Sequence, residues 1–173
     1  MGYWGYYVVG RSEAPLAKTV ALAGAPGLVP RTAAPGGWQV WEYPSGDGEI
    51  GNMNALARET GAPALFGYVM DSACVAVEAA APSGGAWTTC LGRDAMARYL
   101  EGGEGGEGGE GGLGVDDYFL EPADAAERAV AWSAEAGHVV TAGPLIEVLG
   151  AEAGPLAEKL FFQFLDRLGV VPL

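Results

Sequence analysis

One histidine, two cysteines and nine Lys and Arg residues are all that this 173-residue chain offers of the side chains most used by metal sites, redox centres and nucleic-acid binders. Two cysteines are too few for a disulfide scaffold or a cysteine-rich zinc site, so Cys74 and Cys90 are expected to be reduced. His138 stands without a G-x-S-x-G, H-E-x-x-H or similar constellation, and a catalytic base needs an oriented partner and a substrate group in reach. Lying just past Gly137, it reads as a helix-terminal residue interacting with the helix dipole. The nine cations face 22 acids, a formal net charge of −13. Each phosphate contact needs a cation, so the balance argues against nucleic acid and anionic membrane as partners, and a basic protein, or no partner at all, fits better. No apolar run approaches the ~18 residues of a membrane span, and the first ten residues lack the cationic and apolar regions of a signal peptide. A cytoplasmic protein without cofactor, metal or catalytic residues is the expectation.

What the chain has in excess is glycine, 29 residues of it. Four Glu-Gly-Gly triplets run from Glu101 to Gly112 without one apolar side chain. Glycine loses the most backbone entropy on ordering and the glutamates repel one another, which makes this segment a solvated tether. It divides the chain into a sheet-rich part over 1–100, the tether over 101–112, and a helical part over 113–173 that packs on the same core.

Periodicity supplies the elements. Residues 3–9 alternate as a strand, 38–43 form a second with aromatics on both sides, and 65–70 with 73–79 form a hairpin turning at Asp71 and Ser72. A return strand over 87–91 follows Pro82-Ser83-Gly84-Gly85. Centring the turns there predicts one bulky face of Phe66, Tyr68, Met70, Val75, Val77, Trp87 and Leu91, with Leu65, Gly67, Ala76 and Thr88 on the other. Helices are expected over 12–23, capped by Ser12, and over 52–60, 93–100 and 122–136. Pro26, Pro30 and Pro35 predict a loop, and 144–149 a short strand. From Pro155 onward Leu156, Leu160, Phe161, Phe164, Leu165 and Leu168 share one helical stripe. The sum is an α+β fold, a mixed or mainly antiparallel sheet packed by helices.

Four groups of residues are candidates for function. Gly46, Gly48 and Gly51 fit G-x-G-x-x-G between a strand and a helix, with Asp71 where a ribose-binding acid would stand. Asp47 and Glu49 would place two negative charges beside any pyrophosphate, so a turn that caps the next helix is the preferred reading and nucleotide or small-molecule binding the alternative. Asp116 and Asp117 offer an acid pair, either as a carboxylate site with Glu121 and Asp124 or as solvated residues that begin the following segment. Phe162 falls off the C-terminal stripe and is the expected exposed contact, with Asp116 and Asp117 as further interaction residues. Tyr3, Trp4, Tyr6, Tyr7, Trp38, Trp41 and Tyr43 suggest a carbohydrate or peptide platform, against which core packing is preferred. Cys74 and Cys90 fall opposite each other in the expected register and are read as structural.

Gly36-Gly37-Trp38 entering a strand, then Ala55-Leu56-Ala57-Arg58-Glu59-Thr60-Gly61, then the hairpin over 65–79, resemble small uncharacterised proteins of high-GC actinobacteria. In those, a similar strand, helix and hairpin precede an acidic or Gly-rich insert and a helical end. In size and acidity the chain is also similar to bacterial immunity proteins and antitoxins. That likeness implies a non-enzymatic, acidic protein-binding module, with a small carboxylate enzyme or the Gly46–Gly51 ligand site as alternatives. Loop-closure entropy changes slowly with length, so deleting two of the four triplets shifts stability by less than ~1 kcal/mol in thermal melts. Cooperative loss of the fold on that deletion would mean that the glycines hold specific backbone positions.

Overall fold

A strand from Gly5 to Arg11, with Val8 and Val9 wholly inaccessible, is the axis of the sheet. In the computed structural model, which describes residues 2–44, 50–101 and 114–173, this strand β1 pairs antiparallel with β3 (Trp38–Tyr43) on one side and β4 (Ala64–Met70) on the other. With β2 (Val29–Ala34), β5 (Cys74–Ala81) and β6 (Gly85–Leu91) the order is β2-β3-β1-β4-β5-β6, antiparallel throughout. The α+β class holds.

Both sheet faces are covered. Tyr7, Val9, Val40, Leu65, Val69, Val75, Val77 and Leu91 meet α4 (Pro122–Glu135), α5 (Ala142–Gly150) and α6 (Ala157–Leu168) in one core. Of the expected stripe Leu160, Phe161, Phe164, Leu165 and Leu168 are buried on α6, whereas Leu156 stands at the N-cap and is 39% exposed. Phe161 seats its ring where a Cβ on Gly67 would come within 2.5 Å of it. Trp132 of α4 donates its indole N–H to the carbonyls of Ala64 (3.2 Å) and Ala80 (3.0 Å), joining helix to sheet by a satisfied buried polar group. The other face carries α1 (Met53–Thr60) over Val8, Leu16, Leu22 and Ile50, and α2 (Arg93–Glu101) over Cys74 and Cys90. Asn52 caps α1 by accepting from Asn54 N and Ala55 N, and Gly61 ends it at φ 71°.

The two sheet edges are blunted by different means. On β2, Pro30 has no N–H and a register shift separates it from Thr32. On β6, Arg128 donates to the carbonyls of Gly84 and Ala86, and Leu120 N donates to Thr88 O.

Four sequence expectations are corrected. Residues 12–23 form no α-helix but a short 3-10 turn at Leu16–Lys18. The cause is Gln39, whose amide uses its full capacity: it donates to Ser12 O and Ala14 O and accepts from Leu16 N and the Trp41 indole. The expected proline loop contains β2, an edge position where Pro30 is tolerated. The β4–β5 turn takes three residues, Asp71, Ser72 and Ala73, with φ 52° at the first two and Met70 opposite Cys74. This slip of one residue puts Leu65, Gly67 and Val69, rather than Phe66, Tyr68 and Met70, on the face of Val75 and Val77. Finally, 144–149 lies in α5, where Pro144 sits in the first turn and displaces no helical hydrogen bond.

Gly67→Ala should destabilise the fold by about 1–3 kcal/mol, because Phe161 must give way in a filled core. Urea titration measures it, and unchanged stability would show that the ring is not seated on the sheet.

Candidate binding surface

Beyond the edge of β6, residues 114–120 carry the expected acid pair. Asp116 and Asp117 lie in a single helical turn, α3 (Val115–Tyr118). Asp116 Oδ1 accepts from Arg93 Nη2 at 2.7 Å, and Asp117 Oδ2 accepts from Gly114 N at 2.6 Å. Both side chains therefore help to hold this segment together. Thr88 fastens it further by donating its hydroxyl to Tyr118 O. Among the described residues no group of three or more His, Cys, Asp or Glu side chains is placed to hold a metal.

The turn leaves Tyr118 standing out, 49% exposed, at a cavity of about 290 Å³ that Trp87, Thr88, Phe119, Leu120 and Arg128 also line. Glu121, Asp124 and Glu127 follow on exposed positions of the next helical segment. Charge is distributed unevenly over the molecule. Residues 114–173 hold ten carboxylates against three cations, whereas the described residues of 2–101 hold seven against six. Among the described residues the acid surplus thus belongs to the helical layer, and Tyr118 is the large aromatic side chain that this layer exposes.

The remaining candidates fall elsewhere. Phe162 is half-buried, its ring 5.3 Å from Tyr7 and 5.8 Å from Phe161, so it packs against the core instead of standing free. Gly46 and Gly48 lie outside the described residues. Gly51 has φ 109°, and a Cβ there would come within 2.4 Å of Ala21 O, a packing reason for glycine. The first amides of α1 are occupied, Met53 N by Glu78 Oε2 at 3.3 Å and the next two by Asn52. Asp71 accepts from Gly2 N and from the Tyr99 hydroxyl, tying the first residues and α2 to the β4–β5 turn.

The aromatic residues divide between the two faces. Tyr7 and Trp38 are core, whereas Tyr6, Trp41 and Tyr43 lie half-buried on the opposite face and Trp4 is 41% exposed. Tyr6 stacks on Tyr68 at 4.4 Å. Beside Glu42, whose carboxylate accepts from the Tyr3 hydroxyl at 2.6 Å, burial and that negative charge push the Tyr3 phenol far up. Tyr118 escaped the sequence reading because nothing in the pattern separates an aromatic residue that ends at solvent from one that packs.

Comparison of the chain with protein-family models, with curated proteins and with solved structures finds no match in any of the three.

Cys90 lies opposite Ala76, which makes Cys74 its diagonal neighbour on the face beneath Met96, with both thiols buried. Burial pushes Cys74 from 9.0 up to about 12 and Cys90 up to about 11, the Arg93 guanidinium opposing the rise at Cys90. Neutral, sealed thiols suit packing and not nucleophilic chemistry. Above pH 9 the unfolded chain releases these protons while the native state keeps them, so stability falls as pH climbs toward 11–12. Each thiol should remove about 1–2 kcal/mol by roughly pH 10.5. Urea titrations at pH 8 and at the higher pH should show a shallower decline for Cys90→Ala than for the native chain, and equal declines would place the thiols in water.

Proposed function

We propose that this chain is a non-enzymatic, acidic protein-binding module that takes a basic protein on the Tyr118 surface. The observation that carries the reading is the exposed Tyr118 beside a cavity, within a layer that holds ten carboxylates to three cations. An aromatic anchor within a charged rim matches the anatomy of protein interfaces, where a few buried aromatic residues hold the complex and rim charges steer the encounter. Asp116 and Asp117 contribute through the turn they shape and through their charge. Among the described residues no helix is long and apolar enough to cross a membrane. An immunity-protein or antitoxin role, in which the module neutralises a basic protein by covering it, is the biological setting proposed here. The Gly46–Gly51 ligand reading has less in its favour, since the amides at the start of α1 already have acceptors.

The test begins with capture of basic proteins from native lysate on the immobilised chain at low and moderate salt, followed by purification of the pair. Association should slow as salt rises, because screening acts over a Debye length of ~8 Å at physiological ionic strength. Neutralising Glu121 and Asp124 as Gln and Asn should lower the association rate, and Tyr118→Ala should raise the dissociation rate roughly tenfold or more, about 1.4 kcal/mol or above. Retention of no basic protein at either salt would overturn the reading.

A further inference from the structure

At the other edge of the sheet, an open cavity of about 480 Å³ lies between β2 and residues 12–15. Its lining includes Glu13, Pro15, Pro30, Gln39 and Trp41. That volume falls within the ~300–1,000 Å³ of small ligand pockets. One amide sets its shape. The Gln39 side chain holds Ser12 O, Ala14 O and Leu16 N, which fixes the loop bearing Glu13, and its Oε1 also accepts from the Trp41 indole at 2.7 Å, which fixes the ring. Pro15 and Pro30 add walls of restricted backbone. The indole and the backbone that carries Glu13 are therefore preorganised, so less entropy is lost when a ligand meets them.

The charge at this cavity is uncompensated in one place. Glu13 is exposed and has no ion-pair partner among the described residues. Arg31 also lines the cavity, but its guanidinium lies 3.8 Å from Glu42, a residue one position beyond Trp41 and so on the opposite face of β3. The cavity thus presents a held indole, apolar walls and a carboxylate in need of a cation. A side chain with an alkyl stem and a planar, delocalised cation meets all three requirements: the stem lies along the prolines, the guanidinium stacks on the indole, and its N–H groups reach the carboxylate. Lysine carries a compact, strongly hydrated charge that stacks less well.

We propose that this cavity recognises an arginine side chain of a polypeptide, clamped between Trp41 and Glu13. The inference rests on the reading that the partner is basic, and it adds a contact on a different edge of the molecule from Tyr118.

The experiment titrates the intact protein with Nα-acetyl-arginine methylamide and follows the Trp41 indole N–H by NMR. Parallel titrations use the corresponding lysine and citrulline compounds and free arginine. The arginine compound should shift the Trp41 signal saturably, the lysine compound should bind several-fold more weakly, and neutral citrulline at least about tenfold more weakly. Glu13→Gln, at an exposed position, should weaken the arginine compound by about tenfold while leaving the melting temperature unchanged. Trp41→Phe should weaken it through the smaller ring and serves as the second variant. No saturable shift, equal binding of citrulline, or an unchanged Glu13→Gln titration would overturn the assignment, and much tighter binding of free arginine would overturn its polypeptide source. If these titrations fail while a basic protein still co-elutes with the chain, the cavity assignment alone falls. Failure of both removes the basic-partner reading as well.

Discussion

The contact between Phe161 and Gly67 ties the C-terminal helices to the middle of the sheet. β4 lies at the centre, between β1 and β5, and at Gly67 it offers a depression that no other residue would leave. Phe161 fills it, Phe164 and Leu165 are sealed alongside, and Tyr7 stacks on Phe161 at 5.9 Å from the neighbouring strand. Once α6 is seated, α4 is held over the same face by the two carbonyl bonds of Trp132. The segments before and after the Glu-Gly-Gly repeat therefore share one hydrophobic core, although the repeat itself carries no apolar side chain.

Covering the sheet on both sides leaves few places where large side chains meet water. The opposite face is filled at one end by α1 and its preceding segment and at the other by α2, so most of its aromatic residues are only partly open. Two surfaces that stay open lie at the two edges. Beyond β6 is the acid-rich segment that exposes Tyr118, and beside β2 is the Trp41 cavity whose loop is organised by Gln39. The same devices that protect the edges from strand addition, a proline with a register shift on β2 and a docked segment on β6, create these surfaces. Edge protection and the shape of the two cavities are here consequences of one arrangement.

Local chemistry made a good part of this legible. Asn52 and Gly61 bracket α1, Pro122 and Gly137 bracket the next long helix, and the stripe from Leu160 to Leu168 announces a buried helix face. What failed depends on residues far apart in the chain. The pattern from Ser12 to Ala23 is a fair helix until Gln39, distant in sequence, takes the hydrogen bonds that the helix would use. The β4–β5 register hung on Ala73 belonging to the turn, and an error of one residue there exchanged the two faces. Phe162 and Tyr118 show the same limit for the site. Each is an aromatic residue at an ambiguous position, and tertiary packing alone decides that the first packs half-buried against the core and the second is open.

The central claim is that α6 and the sheet are one cooperative unit joined across the repeat. Native-state hydrogen exchange in low denaturant tests it most directly. Amides of β1, β4, β5 and α6 should exchange through a common opening with the same free energy and the same denaturant dependence, equal to that of global unfolding. Exchange of the α6 amides at a markedly lower free energy, while β4 and β5 remain protected, would contradict the account, because the helix would then leave Gly67 without unfolding the sheet.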